Sequence, residues 1–69
     1  MKVTKERAAE VLAEVRKTGE MIRSESIGHK MKVEQYTSAG WTYIFLFCDG
    51  ALCKIEESNH RELIECWVK

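Results

Sequence analysis

The chain lacks most of the features that announce a function. It carries no excess charge, because eleven Lys and Arg balance eleven Asp and Glu and the formal net charge is zero. Bulk electrostatic attraction to nucleic acid or to anionic lipid is thereby removed. Long apolar stretches are missing as well. The most apolar run, Tyr43-Ile44-Phe45-Leu46-Phe47-Cys48, has six residues, whereas a membrane-spanning helix needs about twenty. There is no proline, no low-complexity stretch and no internal repeat, so neither a linker nor a repeat array is visible. Cysteine is scarce and odd in number, at three, which leaves no even disulfide framework for a secreted miniprotein. Met1-Lys2-Val3 leads into charged residues rather than an apolar signal core. A reducing cytoplasm is the compartment that fits.

Sixty-nine residues make one compact α+β domain over residues 1–69, with no second lobe to close a substrate cleft. A chain of this length buries only about 60% of the surface its unfolded form exposes, so every apolar face counts.

What is present begins with a helix. Thr4 is placed to cap it, Val3 to staple onto Ala8, and Ala8, Val11, Leu12 and Val15 recur at helical spacing. Lys17 and Gly19 close the segment, with Gly19 expected in the left-handed conformation beyond the last turn. The predicted helix runs from Lys5 to Thr18. From Glu20 the apolar period changes from 3.6 to 2. Met21–Ile27 and Lys30–Thr37 read as strands joined around Gly28-His29, with Ser38-Ala39-Gly40 as the next turn. Trp41–Cys48, dense in aromatic and β-branched residues, is the strongest strand. Asp49-Gly50 is a two-residue hairpin turn, and Ala51–Glu57 is the return strand.

That turn predicts a register. Cys48 stands opposite Ala51, Leu46 opposite Cys53, Ile44 opposite Ile55 and Thr42 opposite Glu57. This nearly all-apolar set is expected to face the helix. Trp41, Tyr43, Phe45 and Phe47 then fall on the second face with Leu52, Lys54 and Glu56. The last segment, Asn59–Lys69, supports two readings. An Asn59-x-x-Glu62 capping box agrees with an apolar period at His60, Leu63, Ile64, Trp67 and Val68, which favours a helix. A fifth strand is the alternative. The expected fold is therefore α+β: an N-terminal helix packed on a four-stranded antiparallel β-meander, with a short C-terminal helix or a fifth strand.

The order helix, strands, helix, with Gly28-His29 in a strand turn, is similar to that of a double-stranded-RNA-binding domain. That family's lysine-rich start to the final helix is absent, the segment here reading Asn59-His60-Arg61-Glu62-Leu63.

Reactive constellations are few. Cys48, Cys53, His60 and Cys66 are four soft ligands, but zinc knuckles usually space paired cysteines two residues apart, and a buried thiol packs as a small hydrophobe. Packing is the favoured reading, and no metal or cofactor is expected. His60 and Cys66 lie six positions apart, which aligns them on neither a helix nor a strand, and His29 sits in a turn. Without a serine elbow, a glycine-rich phosphate loop or paired carboxylates, no enzyme is expected.

Binding remains. Trp41, Tyr43, Phe45 and Phe47, with Lys54, Glu56 and Trp67, form the expected partner-binding set, an aromatic patch rimmed by both charge signs. The expected function is non-catalytic binding to a larger cytoplasmic protein. A small phage or mobile-element regulator or inhibitor, of anti-defence or anti-CRISPR type, is one group with this size. A homodimer closing the aromatic face is a second possibility. The alternative function is binding of single-stranded nucleic acid, RNA in particular, by stacking on an aromatic sheet face flanked by Arg23, Lys30, Lys32 and Lys54. Charge divides weakly. Residues 1–40 hold eight basic and six acidic side chains, and residues 41–69 hold three and five, giving +2 and −2.

Overall fold

The computed structural model describes residues 1–69. It contains β1 (Lys2–Val3), α1 (Lys5–Thr18), β2 (Glu20–Ile27), β3 (Met31–Ser38), β4 (Trp41–Cys48), β5 (Ala51–Ser58) and β6 (Leu63–Val68). The six strands form one sheet in the order β1-β6-β5-β4-β3-β2. The chain enters beside β6, crosses one face of the sheet as α1, and returns through an antiparallel meander to pair β6 in parallel with β1. The sheet is therefore mixed and six-stranded. This corrects the expected four-stranded meander, whose C-terminal segment takes the alternative form of a further strand rather than the favoured helix, and it ends the likeness to the double-stranded-RNA-binding domain.

α1 forms where local signals place it. The Thr4 side chain accepts from the Arg7 amide at 3.1 Å, which satisfies one of the free amides of the first turn. Ala8 and Val15 are buried, with Val11 and Leu12 packed beside them. Gly19 does not take the expected left-handed conformation. Its backbone is extended, at φ −101° and ψ −179°. Glycine is needed there for space, since a Cβ would lie 2.7 Å from the Thr37 carbonyl oxygen and 2.8 Å from that of Val15.

The hairpins follow their turn residues. Asp49 (φ 53°) and Gly50 (φ 81°) make a type I′ turn that pairs Cys48 with Ala51. Ala39 (φ 51°) and Gly40 (φ 82°) do the same between Ser38 and Trp41.

Beyond the Asp49-Gly50 turn the expected register fails. Leu46 pairs with Lys54 and Phe47 with Leu52, so Cys53 is an extra residue, a β-bulge on β5. One inserted residue moves every later partner to the other face. Ile55 now stands opposite Phe45 rather than Ile44, and Glu57 opposite Tyr43 rather than Thr42. The faces of β4 are consequently the reverse of those expected, while Ile55 on β5 keeps its expected place in the core and Lys54 and Glu56 keep theirs on the second face. Phe45 (0% exposed) and Ile55 (1%) lie fully buried with Ala8, Val15, Tyr36 and Cys66, while Tyr43, Phe47 and Leu52 pack around them. The Phe45 ring meets Tyr36 edge-on at 5.8 Å and stacks with Tyr43 at 6.4 Å. The large rings bury more area than Ile44, Leu46 and Cys48, and the helix covers the side where they stand.

The C-terminal segment is a strand, although the Asn59 signal is genuine. Asn59 Oδ1 accepts from the amides of Arg61 (2.8 Å) and Glu62 (3.0 Å), and the Asn59 amide donates to the Glu62 carbonyl (3.0 Å). These bonds close the loop between β5 and β6 instead of starting a helix. β6 then pairs along β5, with Cys66 opposite Ile55 and Ile64 opposite Glu57. The amides of Trp67 and Lys69 donate to the carbonyls of Met1 (2.9 Å) and Val3 (3.0 Å).

Candidate functional site

The candidate reactive groups are dispersed. Cys48 and Cys53 bring their sulfurs to 2.8 Å at the bulge, and the Cys53 thiol donates to the Leu46 carbonyl at 3.4 Å. Burial, then the hydrogen bond with Cys48, pushes the Cys53 thiol up to about 11, so it stays protonated near neutral pH, the unreactive form. Cys66 lies on the opposite side of the sheet in the core, and burial followed by the nearby Glu57 carboxylate raises its thiol too. His60 is exposed in the β5–β6 loop and His29 in the β2–β3 loop. The four soft ligands do not converge, and nowhere do three or more His, Cys, Asp or Glu side chains gather with metal-binding geometry.

The expected partner-binding set divides between the two faces. Trp41, Tyr43, Phe45 and Phe47 all stand on the helix side. Phe45 is closed to solvent there, and Trp41, Tyr43 and Phe47 are half-buried. Burial, then the charge of Glu57, raises the Tyr43 hydroxyl. No aromatic platform is open to stacking bases on this side, because α1 lies over it.

Lys54, Glu56 and Trp67 stand together on the other face. The Lys54 Nζ sits 4.9 Å from the centre of the Trp67 ring and pairs with Glu56 at 2.9 Å and Glu65 at 3.6 Å. The Glu56 hydrogen bond is the foremost cause raising the Lys54 ammonium, which burial opposes and Glu65 supports. One cation thus ties the Trp67 ring, itself 48% exposed, to two carboxylates on β5 and β6.

No helix packs on this face, where Val33 is buried among its neighbours and Ile44 and Leu46 are half-buried. α1, the only helix, packs on the other side. Beside the Lys54–Trp67 pair runs an apolar strip of Val33, Ile44 and Leu46, and the three line a shallow depression of about 190 Å³ with Arg23, Lys54 and Glu56. Ile44 and Leu46 were assigned to the core by the simple hairpin register. Only the bulge, which has no signature in the residues around Cys53, puts them outside.

A second polar group escaped the sequence reading. Glu34, 3% exposed, lies under α1. Its Oε1 accepts from Arg16 and from the Tyr36 hydroxyl, both at 2.8 Å, and Lys32 Nζ approaches Oε2 at 3.1 Å. Burial alone would raise this carboxyl, but the hydrogen bonds from Arg16, Tyr36 and Lys32 outweigh it and hold the group below the usual carboxylate range. Lys32, Glu34 and Tyr36 alternate onto one face of β3, and the pairing of Glu34 with Phe45 puts that face under the helix.

No protein-family model matches the chain, and no curated protein or solved structure shows significant similarity to it. No helix is long and apolar enough to cross a membrane.

Proposed function

We propose that the chain is a non-catalytic protein-binding module that lays the open face of its sheet on a larger protein. The observation that carries this reading is the half-exposed pair Ile44 and Leu46, with Val33 buried between them and their neighbours, beside an exposed Trp67 pinned by Lys54, Glu56 and Glu65. An apolar centre, an exposed indole and a rim of both charge signs match the anatomy of a protein interface. Rows of pleated side chains also give a flat surface suited to another protein. Inhibition or regulation of a larger assembly, as phage and mobile-element proteins exert, is one form such binding takes, and it rests on size alone. A reducing cytoplasm is the setting we propose, on the three free thiols.

The test compares affinity capture from lysate by the wild-type chain and by Trp67→Ala and Ile44→Arg variants with native far-ultraviolet circular dichroism. Capture of one defined protein by the wild type and its loss with both variants is expected. The same protein retained by both folded variants sinks the proposal. Sedimentation of the purified chain over a range of concentrations separates a foreign partner from a second copy.

A further inference from the structure

A cleft of about 780 Å³ lies on the helix side of the sheet, apart from the proposed protein-binding face. One flank of α1 forms its wall, through Lys5, Ala9, Leu12 and Arg16 at successive spacings of four, three and four residues. The ends of the β2–β3 and β4–β5 hairpins form the other side. Leu12, Phe47 and Leu52 supply an apolar floor.

The charged groups are cationic but for one, with Ser26 and His29 as the uncharged polar neighbours. Lys5, Arg16, Lys30 and Lys32 line the cleft against one carboxylate, Glu34, a local excess of three positive charges on a chain whose net charge is zero. Arg16 and Lys32 share Glu34, which leaves that trio one charge in excess. Lys5 and Lys30 have no carboxylate within 4.0 Å. Two unpaired ammonium groups at the edge of an apolar hollow are complementary to an anion that carries its own apolar body.

We infer that this cleft binds an amphipathic organic anion, a carboxylate on an alkyl chain, with the chain on Leu12, Phe47 and Leu52 and the carboxylate at the unpaired ammonium groups that line the cleft, Lys5 or Lys30. The volume falls in the class of small-molecule sites, roughly 300–1,000 Å³. Inorganic phosphate would leave the apolar floor unused. A flat protein surface would reach the rim without filling the hollow.

Decanoate below its micelle concentration is the probe, with 1-decanol as its uncharged counterpart, followed by calorimetry and by amide shifts of isotope-labelled protein. Decanoate should bind with a Kd on the order of 10–100 μM and shift the amides of Leu12, Phe47 and Leu52. The double variant Lys5→Gln/Lys30→Gln should weaken it about tenfold. Ala9→Trp, at an exposed position on the cleft wall, should block binding while the fold persists. No binding at 1 mM (roughly the weak limit for a specific small-molecule site) overturns the inference, as do equal affinity for 1-decanol, indifference to both variants, or shifts confined to Ile44, Leu46 and Trp67. That last pattern would place the ligand on the open face.

Discussion

Glu34 is the residue whose surroundings constrain the fold most tightly. A carboxylate this buried is tolerable only with its oxygens partnered, and Arg16, Tyr36 and Lys32 supply the partners. The group therefore fastens α1 to β3 as well as placing a charge. Because its native pKa lies below the ordinary value, its stabilisation is fully present above the unfolded-state pKa of about 4.3. It is lost as pH falls through the lower native value. Glu34→Gln should cost about 1–3 kcal/mol at pH 7, and its deficit should shrink below pH 4 (roughly the unfolded carboxylate pKa). Urea midpoints of both proteins across that range check this. Parallel pH curves would show that Glu34 carries no linked proton.

Among the elements, the β3–β4 hairpin holds a local conflict. Its type I′ turn needs positive φ at both central positions, yet the first is Ala39, at 51°. A Cβ in that region costs about 1–2 kcal/mol, which glycine avoids by lacking the atom and asparagine partly offsets by hydrogen-bonding its side chain to the local backbone. Ala39→Asn should therefore raise stability by about 0.5–1 kcal/mol, measured as a shift in melting temperature with the β3–β4 register kept. The turns and the helix were legible in the sequence because their signals act within a few residues. Thr4 caps its own helix, and Asp49-Gly50 sets its own two dihedrals. Asn59 marks where local information ends. Its side chain caps a turn in either structure, and the free edge of β5 decides that the following residues extend rather than coil.

At the scale of the molecule, the exchange of faces on β4 governs which of its residues are core and which are surface. Phe45→Ala should cost about 3–5 kcal/mol, the range for a large aromatic removed from a closed core. Ile44→Ala, one residue away on the uncovered face, should cost about 1 kcal/mol. Chemical denaturation of the pair tests the orientation of the whole sheet, and a larger loss at Ile44 would restore the unbulged register. The same reversal reshapes the candidate site. Trp41, Tyr43, Phe45 and Phe47 go to the helix side, Lys54, Glu56 and Trp67 stay accessible together, and Ile44 and Leu46 join them.

Helix position, hairpin turns and the alternation of side chains along each strand follow from neighbours in the chain, and residue order is enough to state them. Which β4 residues join Ile55 on the inward face follows from one unpaired residue, Cys53, because a single insertion shifts every later partner by half a strand period. The choice of strand over helix for β6 was made by pairing with β5, and the parallel pairing of β1 needed the two ends of the chain side by side. Contacts between residues more than sixty positions apart leave no trace in a local pattern, and they form here because α1, in crossing the sheet, puts β1 and β2 at opposite edges and leaves the returning meander to end against β1.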